Sequence, residues 1–154
     1  MPEDHQPVRV RRLQDGDRGR WQALWEGYLA FYRASLDEAV TEATFARLRD
    51  GEHGMLGLLA VDATDVPIGL AHLIFHAATW SAGTYCYLED LFVDPALRGG
   101  RVARALFDAV YREAHAHGAE RVYWHTQQYN GAARSLYDTV GTLTSFVVYE
   151  HDLG

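Results

Sequence analysis

The stretch Leu88–Ala105, LEDLFVDPALRGGRVARA, predicts a strand, a turn and the first turn of a helix. Apolar residues continue to Val93, and Asp94-Pro95 ends the strand because proline has no amide hydrogen and a fixed φ. Beyond the glycine pair, apolar residues recur at three-and-four spacing to about His117, as on the buried side of a helix. The other elements of the fold are predicted from the residue patterns on either side of this unit.

The glycine pair Gly99-Gly100 lies where the predicted strand gives way to the helix. Backbone N–H groups of a first helical turn have no partner within the helix and carry the positive end of its dipole, so a phosphate could approach them here. Arg98, Arg101 and Arg104 add positive charge. The local pattern fits equally a glycine-rich turn that packs a helix on a sheet, with solvated arginines.

The remaining periodicities predict an alternation of strands and helices in one domain, residues 1–154. In chain order they are strand Val8–Leu13, helix Asp17–Leu36, helix Thr41–Gly51, strands Met55–Asp62, Ile68–Ala77 and Tyr85–Val93, the helix after the glycines, strand Arg121–Thr126, a short helix that begins at Asn130 and a last strand Phe146–Tyr149. Short connections make the middle strands antiparallel, and the strand-helix-strand crossover makes the next one parallel. The fold class is therefore α+β, a mixed sheet with helices on both faces.

Net charge, hydropathy and cysteine content limit where the protein can be located and which partners it can bind. A formal net charge of -7 disfavours nucleic acid as a partner, and no segment is apolar for long enough to span a membrane. The lone Cys86 excludes an intrachain disulfide, which fits a cytoplasmic protein. His72 and His76 share a predicted strand without a third ligand at metal-binding spacing, so we expect no metal site and structural roles for both.

Two motifs resemble those of the GCN5-related N-acetyltransferases, of the Hpa2-like and diamine acetyltransferase-like branch. The first is Arg98 to Ala103 after LEDLFV, which resembles Arg/Gln-x-x-Gly-x-Gly/Ala but has Arg101 at the second glycine position. The second is Asn130-x-x-Ala133-x-x-Leu136-Tyr137, which follows at the family's distance. The arginine is compatible with the motif if it keeps a negative φ and points outward.

The resemblance implies a twisted sheet of six to seven strands, a homodimer and acetyl-CoA as cofactor. It assigns cofactor binding to the positions that match the family: Leu91, Phe92, Val93, Arg98, Gly99, Gly100, Arg101, Val102, Ala103, Asn130, Ala133 and Tyr137. Capping of its own helix is the alternative role of Asn130.

By the same resemblance Tyr137 is the general acid and Glu89 is the base. Strand alternation predicts that Glu89 and Asp90 point to opposite faces, so only one of them would reach the substrate, and both could instead be solvated. The aromatic residues Tyr28, Phe31 and Tyr32 of the first helix are candidates for binding the substrate, together with Glu89. They could equally just pack on the sheet.

The sequence thus predicts an acetyl-CoA-dependent N-acetyltransferase that acts on a small primary amine, polyamine-like or amino-acid-like, by direct transfer in a ternary complex. Two alternatives remain, a protein lysine or N-terminal acetyltransferase and a non-catalytic sensor that binds acyl-CoA. A small-molecule acceptor is the predicted partner, without nucleic acid or membrane.

Overall fold

The computed structural model describes residues 7–97 and 100–154, and within them five strands form one mixed sheet. The strands are β1 (Arg9–Arg12), β2 (Met55–Val61), β3 (Pro67–Ala77), β4 (Thr84–Val93) and β5 (Ala119–Tyr123). They lie in the sheet in chain order. The pairs from β1 to β4 are antiparallel and β4 with β5 is parallel, as the crossover between them requires.

Helices cover both faces of the sheet. Helices α1 (Arg18–Phe31) and α2 (Glu38–Asp50) bury Trp21, Leu24, Phe45 and Leu48 against one face. On the other face lie α3 (Arg101–Ala116), whose buried residues include Leu106, Phe107 and Val110, and α4 (Gly131–Val140). The predicted fold class, mixed α and β with helices on both faces, is confirmed.

Cys86 lies in the centre of the core on the α3 face, with no exposed surface. Burial raises the pKa of its thiol to about 12. The residue therefore acts as a small apolar side chain, in agreement with its location in the middle of a strand.

The number of strands was overestimated, because Phe146–Tyr149 forms no strand. Residues 141–154 contain neither helix nor strand, and Phe146 and Tyr149 are 81% and 92% exposed. A high β-propensity predicts a strand only where a neighbouring edge supplies the hydrogen bonds and the burial. The sheet of the described residues accordingly has five strands and not six to seven.

Element boundaries also differ. The first helix ends at Phe31 and not near Leu36, because Arg33 takes a left-handed conformation (φ 54°). The sequence has no glycine at this position that would predict such a conformation. The second helix begins at Glu38, ahead of Thr41, and β5 is shifted toward the N-terminus, ending at Tyr123.

Strands β4 and β5 separate halfway along β4. Their pairing runs from Thr84 with Ala119 to Tyr87 with Tyr123 and stops there, whereas β4 continues to Val93 beside β3. The second half of β4 thus has an edge that β5 does not cover. None of the described helices is long and apolar enough to cross a membrane.

Candidate active site

A β-bulge interrupts β4 at its two acidic residues. His72 of β3 pairs with Asp90, the next pair is Leu73 with Leu88, and Glu89 is the extra residue between them. A bulge shifts the alternation of side chains by one position. Leu88 lies on the α3 face and Asp90 on the α1 face, so Glu89 between them is not forced onto the face opposite Asp90.

The electrostatic effects of both carboxylates appear on the α1 face. Burial and the charge of Asp90 raise the pKa of Tyr28 on α1, and the charge of Glu89 adds to it. Burial likewise raises the pKa of Tyr87, again with a contribution from Glu89. The bulge thus removes the regular alternation on which the expectation of opposite faces rested.

Glu89 itself has a raised pKa. Partial burial of its carboxylate is the main cause, and the like charge of Asp90 is the second. Both effects favour the protonated form, so this carboxylate holds a proton more readily than an ordinary surface glutamate. A raised pKa favours a carboxylate as an acceptor of a proton.

Aromatic side chains from the end of α1 form one wall beside the bulge. Tyr28 contacts Trp25, Tyr32 and, edge to face at 6.1 Å between ring centroids, Phe92 of β4. Tyr28 is half-buried, whereas Tyr32 is 43% exposed. Phe31 is 66% exposed and contacts the outer side of Tyr32, so it lies at the rim.

Tyr137 of α4 packs against the core on the α3 face of the sheet. Its ring packs edge to face on Phe107 and Trp124, at 5.8 and 5.6 Å between centroids. Burial raises the pKa of its hydroxyl, with the charge of Tyr32 as the second cause. The phenol is therefore protonated at neutral pH and available as a proton donor.

The exposed edge of β4 presents backbone groups to the gap between β4 and β5. The amide of Asp94 donates to the carbonyl of Ile68 at 2.9 Å, and bonded positions alternate along an antiparallel pair. Leu91 and Val93 therefore direct their N–H and C=O groups away from β3, into the gap. Phe92 directs its backbone toward β3 and its ring toward Tyr28.

The N-terminus of α3 has the features of a phosphate site. Gly100 precedes the helix with φ 74°, and no atom lies within 4 Å of the position that a Cβ would occupy there. No side chain of the described residues caps this end of α3. The first N–H groups of α3 therefore have no side-chain partner among the described residues, which fits the binding of a pyrophosphate such as that of coenzyme A.

Arg101 is the first residue of α3, is exposed and has a negative φ, because Gly100 takes the left-handed conformation instead. The arginine is therefore compatible with the loop. The predicted cofactor ligands Arg98 and Gly99 lie outside the described residues. Val102 is buried in the core, and Ala103 follows it in the first turn of α3.

Asn130 precedes α4 but does not cap it, since its side chain makes no hydrogen bond to that helix. The side-chain amide of Asn130 therefore does not cap its own helix, which was the alternative role predicted for it. Ala133 lies one turn into α4, half-buried.

A buried hydrogen-bond chain behind the bulge was missed by sequence reasoning. The indole Nε1–H of Trp21 donates to His72 Nε2 at 3.0 Å, and His72 Nδ1 lies 2.9 Å from Asp90 Oδ2. His72 was expected to be structural, because its strand position does not reveal which residue of β4 it faces. Among the described residues no group of three or more His, Cys, Asp or Glu side chains is arranged to hold a metal ion.

The arrangement matches known acetyltransferases in sequence and in fold. The acetyltransferase (GNAT) family matches residues 21–141. The Saccharomyces cerevisiae D-amino-acid N-acetyltransferase HPA3 is 34% identical over 144 residues, 93% of this chain and 89% of that protein. The Caenorhabditis elegans thialysine N-epsilon-acetyltransferase is 31% identical over 88 residues, 57% of this chain and 52% of that one.

Solved structures share the fold at lower identity. The structure of AAC(6')-Iy in complex with the bisubstrate analog CoA-S-monomethyl-acetylneamine has a TM-score of 0.80 and 19% identity, and covers 95% of this chain and 98% of that one. A probable acetyltransferase has a TM-score of 0.84 and 21% identity, over 95% and 98%. With the family matching most of the chain and a relative above 30% identity along nearly its whole length, this protein belongs to the acetyltransferase (GNAT) family and is an acetyl-CoA-dependent N-acetyltransferase.

Proposed function

We propose that this N-acetyltransferase transfers the acetyl group directly to a small primary amine, polyamine-like or amino-acid-like, within a ternary complex. The observation that carries the proposal is the bulge of β4, where Glu89 and Asp90 act on the aromatic end of α1. Negative charge beside aromatic walls suits the ammonium group of a small molecule. The names of the yeast and nematode relatives, a D-amino-acid and a thialysine acetyltransferase, support the same class of acceptor.

The cofactor is assigned to the open edge of β4 and the start of α3. The residues Arg98, Gly99, Gly100, Arg101, Val102 and Ala103 would hold the pyrophosphate with backbone N–H groups and arginine charge. The outward-directed groups of Leu91 and Val93 would bind the amides of the pantetheine arm, with the ring of Phe92 on the acceptor side. Asn130 and Ala133 would contact the arm from α4, for which Asn130 has its side-chain amide available.

Two side chains carry the proton transfers. Bound acetyl-CoA supplies a thioester carbonyl for the amine to attack. The acceptor amine must first lose a proton, and Glu89 receives it, directly or through water, for which its raised pKa is favourable. Tyr137 donates a proton to the departing sulfur, because its buried phenol remains neutral. The N–H of Val93 would stabilise negative charge that develops on the carbonyl oxygen.

The acceptor site is completed by side chains of α1. Tyr28 and Tyr32 line the cleft opposite Tyr137 and would contact the carbon chain of the acceptor, while Phe31 at the rim would contact its outer end. Aromatic rings beside the acceptor would favour a small molecule over a lysine on a protein surface. An acceptor site would also distinguish an enzyme from a sensor, which needs none.

We further infer that the protein is a cytoplasmic homodimer that does not act on nucleic acid or at membranes. The net charge of -7 and the single buried cysteine support the location and the absence of nucleic acid. The exposed apolar residues of the segment 141–154 and the outer edge of β5 support self-association.

Release of the coenzyme A thiol from acetyl-CoA tests the proposal. The acceptors are diamines, polyamines, D- and L-amino acids, aminoglycosides and a lysine peptide. We expect turnover with one class of small amine, and a loss of at least about tenfold in kcat for Tyr137→Phe. Tyr85→Phe, at the opposite end of β4, is the matched control and keeps the wild-type rate.

Two results would favour the alternatives. Preference for the lysine peptide over every small amine would identify a protein acetyltransferase. Binding of acetyl-CoA by calorimetry, with no turnover of any acceptor, would identify a sensor.

A further inference from the structure

A continuous chain of three side chains connects the interior of α1 to the bulge of β4. Trp21 is fully buried, His72 is 3% exposed, and the Asp90 side chain is 13% exposed. The two hydrogen bonds measure 3.0 Å, from Trp21 Nε1 to His72 Nε2, and 2.9 Å, between His72 Nδ1 and Asp90 Oδ2. The chain runs from α1 through β3 to β4 on the α1 face of the sheet.

The indole N–H of Trp21 determines which ring nitrogen of His72 carries the proton. An indole N–H can only donate, so His72 Nε2 must accept and cannot carry a proton. The single ring proton is then on Nδ1, where it is donated to Asp90. The contact between His72 and Asp90 is thus a hydrogen bond from a neutral ring to a carboxylate, and the ring does not neutralise the charge of Asp90.

His72 and Asp90 pair directly beside the bulge, where they can hold its conformation. His72 is the residue that faces Asp90 across the ladder, immediately before Glu89 is left without a partner. Anchoring Asp90 from behind fixes the backbone of the bulge and the direction of its carboxylate. The charged and titratable groups around that carboxylate are Tyr28 from α1, His72 from β3, and Tyr87 and Glu89 from β4 itself.

We propose that His72 is a positioning residue, held by Trp21 as a neutral donor, that orients Asp90 and the bulge so that two negative charges face the acceptor ammonium. This inference rests on the proposed function of the same site. It assigns to the pair the binding of the cationic acceptor, distinct from the proton transfers of Glu89 and Tyr137. Neutrality of the ring is essential, because an imidazolium would cancel one of the two charges.

The tautomer of His72 can be measured without any substrate. Long-range 1H–15N correlation of the ring nitrogens gives the tautomer of each of the eight histidines, and the signal missing in His72→Asn identifies His72. We expect the ring proton on Nδ1 and none on Nε2, because Nε2 accepts from the indole of Trp21. A proton on Nε2 would overturn the inference.

Kinetics test the positioning role. His72→Phe keeps the ring but removes the donor, and we expect the KM for the amine to rise at least about tenfold, with the KM for acetyl-CoA unchanged. His72→Asn places an amide donor near the position of Nδ1 and should recover most of this loss. His76→Phe on the same strand is the matched control, and its KM values stay at the wild-type level.

A third variant tests the role of His72 while leaving His72 itself in place. Trp21→Phe retains the aromatic packing but removes the indole N–H, so the tautomer of His72 is no longer fixed and the KM for the amine should rise. Equal KM values for wild type and His72→Phe would contradict the positioning role. So would equal losses in His72→Phe and His72→Asn when circular dichroism shows both folded.

The two proposals fail separately. If wild type acetylates no amine on the panel, the proposed function fails, and the nitrogen shifts of His72 still decide whether the neutral chain exists. If wild type is active and His72→Phe is unimpaired, the proposed function stands and this inference fails.

Discussion

Glu89 and Asp90 are neighbours in sequence at the bulge of β4, where the regular alternation across the sheet is interrupted. The charge of Asp90 affects the ionisation of Glu89. This like charge adds to partial burial and raises the pKa of Glu89, so we expect protonation of Glu89 to limit the activity on the acidic side of the pH range.

Removal of the neighbouring charge should shift that limit. Asp90→Asn keeps the shape of the side chain and removes its charge, so the pKa of Glu89 falls and the acidic limb of kcat/KM moves to lower pH. The measurement is the pH dependence of kcat/KM at saturating acetyl-CoA. Glu89→Gln is the control and should lack this limb. A limb that moves to higher pH in Asp90→Asn would contradict the assignment of Glu89 as the base.

The chemistry of the candidate site could be predicted from residue types, but its arrangement could not. Tyr137, Glu89 and Tyr28 were identified because they follow motifs or aromatic periodicity, and burial raises the pKa of each. The bulge at Glu89 and Asp90 depends on one extra residue in β4, and an alternating pattern carries no sign of it. For the same reason His72 was not connected with Asp90.

At the scale of elements, α1 is fastened to β1 by a partly buried ion pair. Arg11 of β1 binds both oxygens of Asp17, at 2.8 and 2.9 Å, and Asp17 also accepts from the amide of Gln14. The hydrogen bonds from Arg11 are the main reason that the pKa of Asp17 is lowered. Asp65 supplies Arg11 with a second, more exposed partner.

Asp17→Asn should lower the free energy of unfolding by about 1–3 kcal/mol at neutral pH, because a charged hydrogen bond with limited solvent access is lost. The lowered folded-state pKa gives the sign of the pH dependence. The contribution of Asp17 is complete above its unfolded-state pKa, about 3.9, and is lost as pH falls through the lower folded-state value.

Urea unfolding of wild type and variant checks this. The difference in unfolding free energy should be constant above about pH 5 and should shrink as the solution becomes more acidic. Asp65→Asn is the matched control, since half of its side chain is exposed and its left-handed φ of 65° suits asparagine, so we expect a change below about 1 kcal/mol. Equal effects of the two substitutions would contradict the role of burial.

The order and type of most elements could be predicted because each has a clear period or a clear breaker. The stripe of α3 and the proline after β4 are examples. The early end of α1 at Phe31 could not be predicted, since Arg33 adopts a positive φ without glycine. The last strand was predicted from propensity alone, and in the single chain the segment does not pair with the sheet.

At the scale of the whole molecule, the segment 141–154 leaves a large apolar surface in solvent. Phe146, Val147, Val148 and Tyr149 are between 62% and 92% exposed, and β5 is the last strand of the sheet with an edge available for pairing. A second copy of the chain offers the same edge and the same segment, which is the self-complementary arrangement of a two-fold dimer. Exchange of the two segments would cover both surfaces.

We therefore expect wild type to have twice the chain mass of 17.3 kDa by light scattering, and a chain that ends at Thr142 to be a monomer. Phe146→Asp should dissociate the dimer as well, because a charge cannot be buried there without a partner. Ala63→Asp, in the exposed turn before β3, is the control and should remain a dimer. A monomeric wild type, or a shortened chain that stays dimeric, would contradict the segment exchange.

Because Cys86 is completely buried, we expect the folded enzyme not to react with thiol reagents. A disulfide reagent added to follow coenzyme A release therefore meets no competing sulfhydryl from the protein, and the colour that develops counts product alone. Once the sheet opens, the same sulfur becomes accessible and reacts once per chain. The single cysteine thus serves as an internal reporter, and its labelling rate measures how often β4 separates from α3 under native conditions.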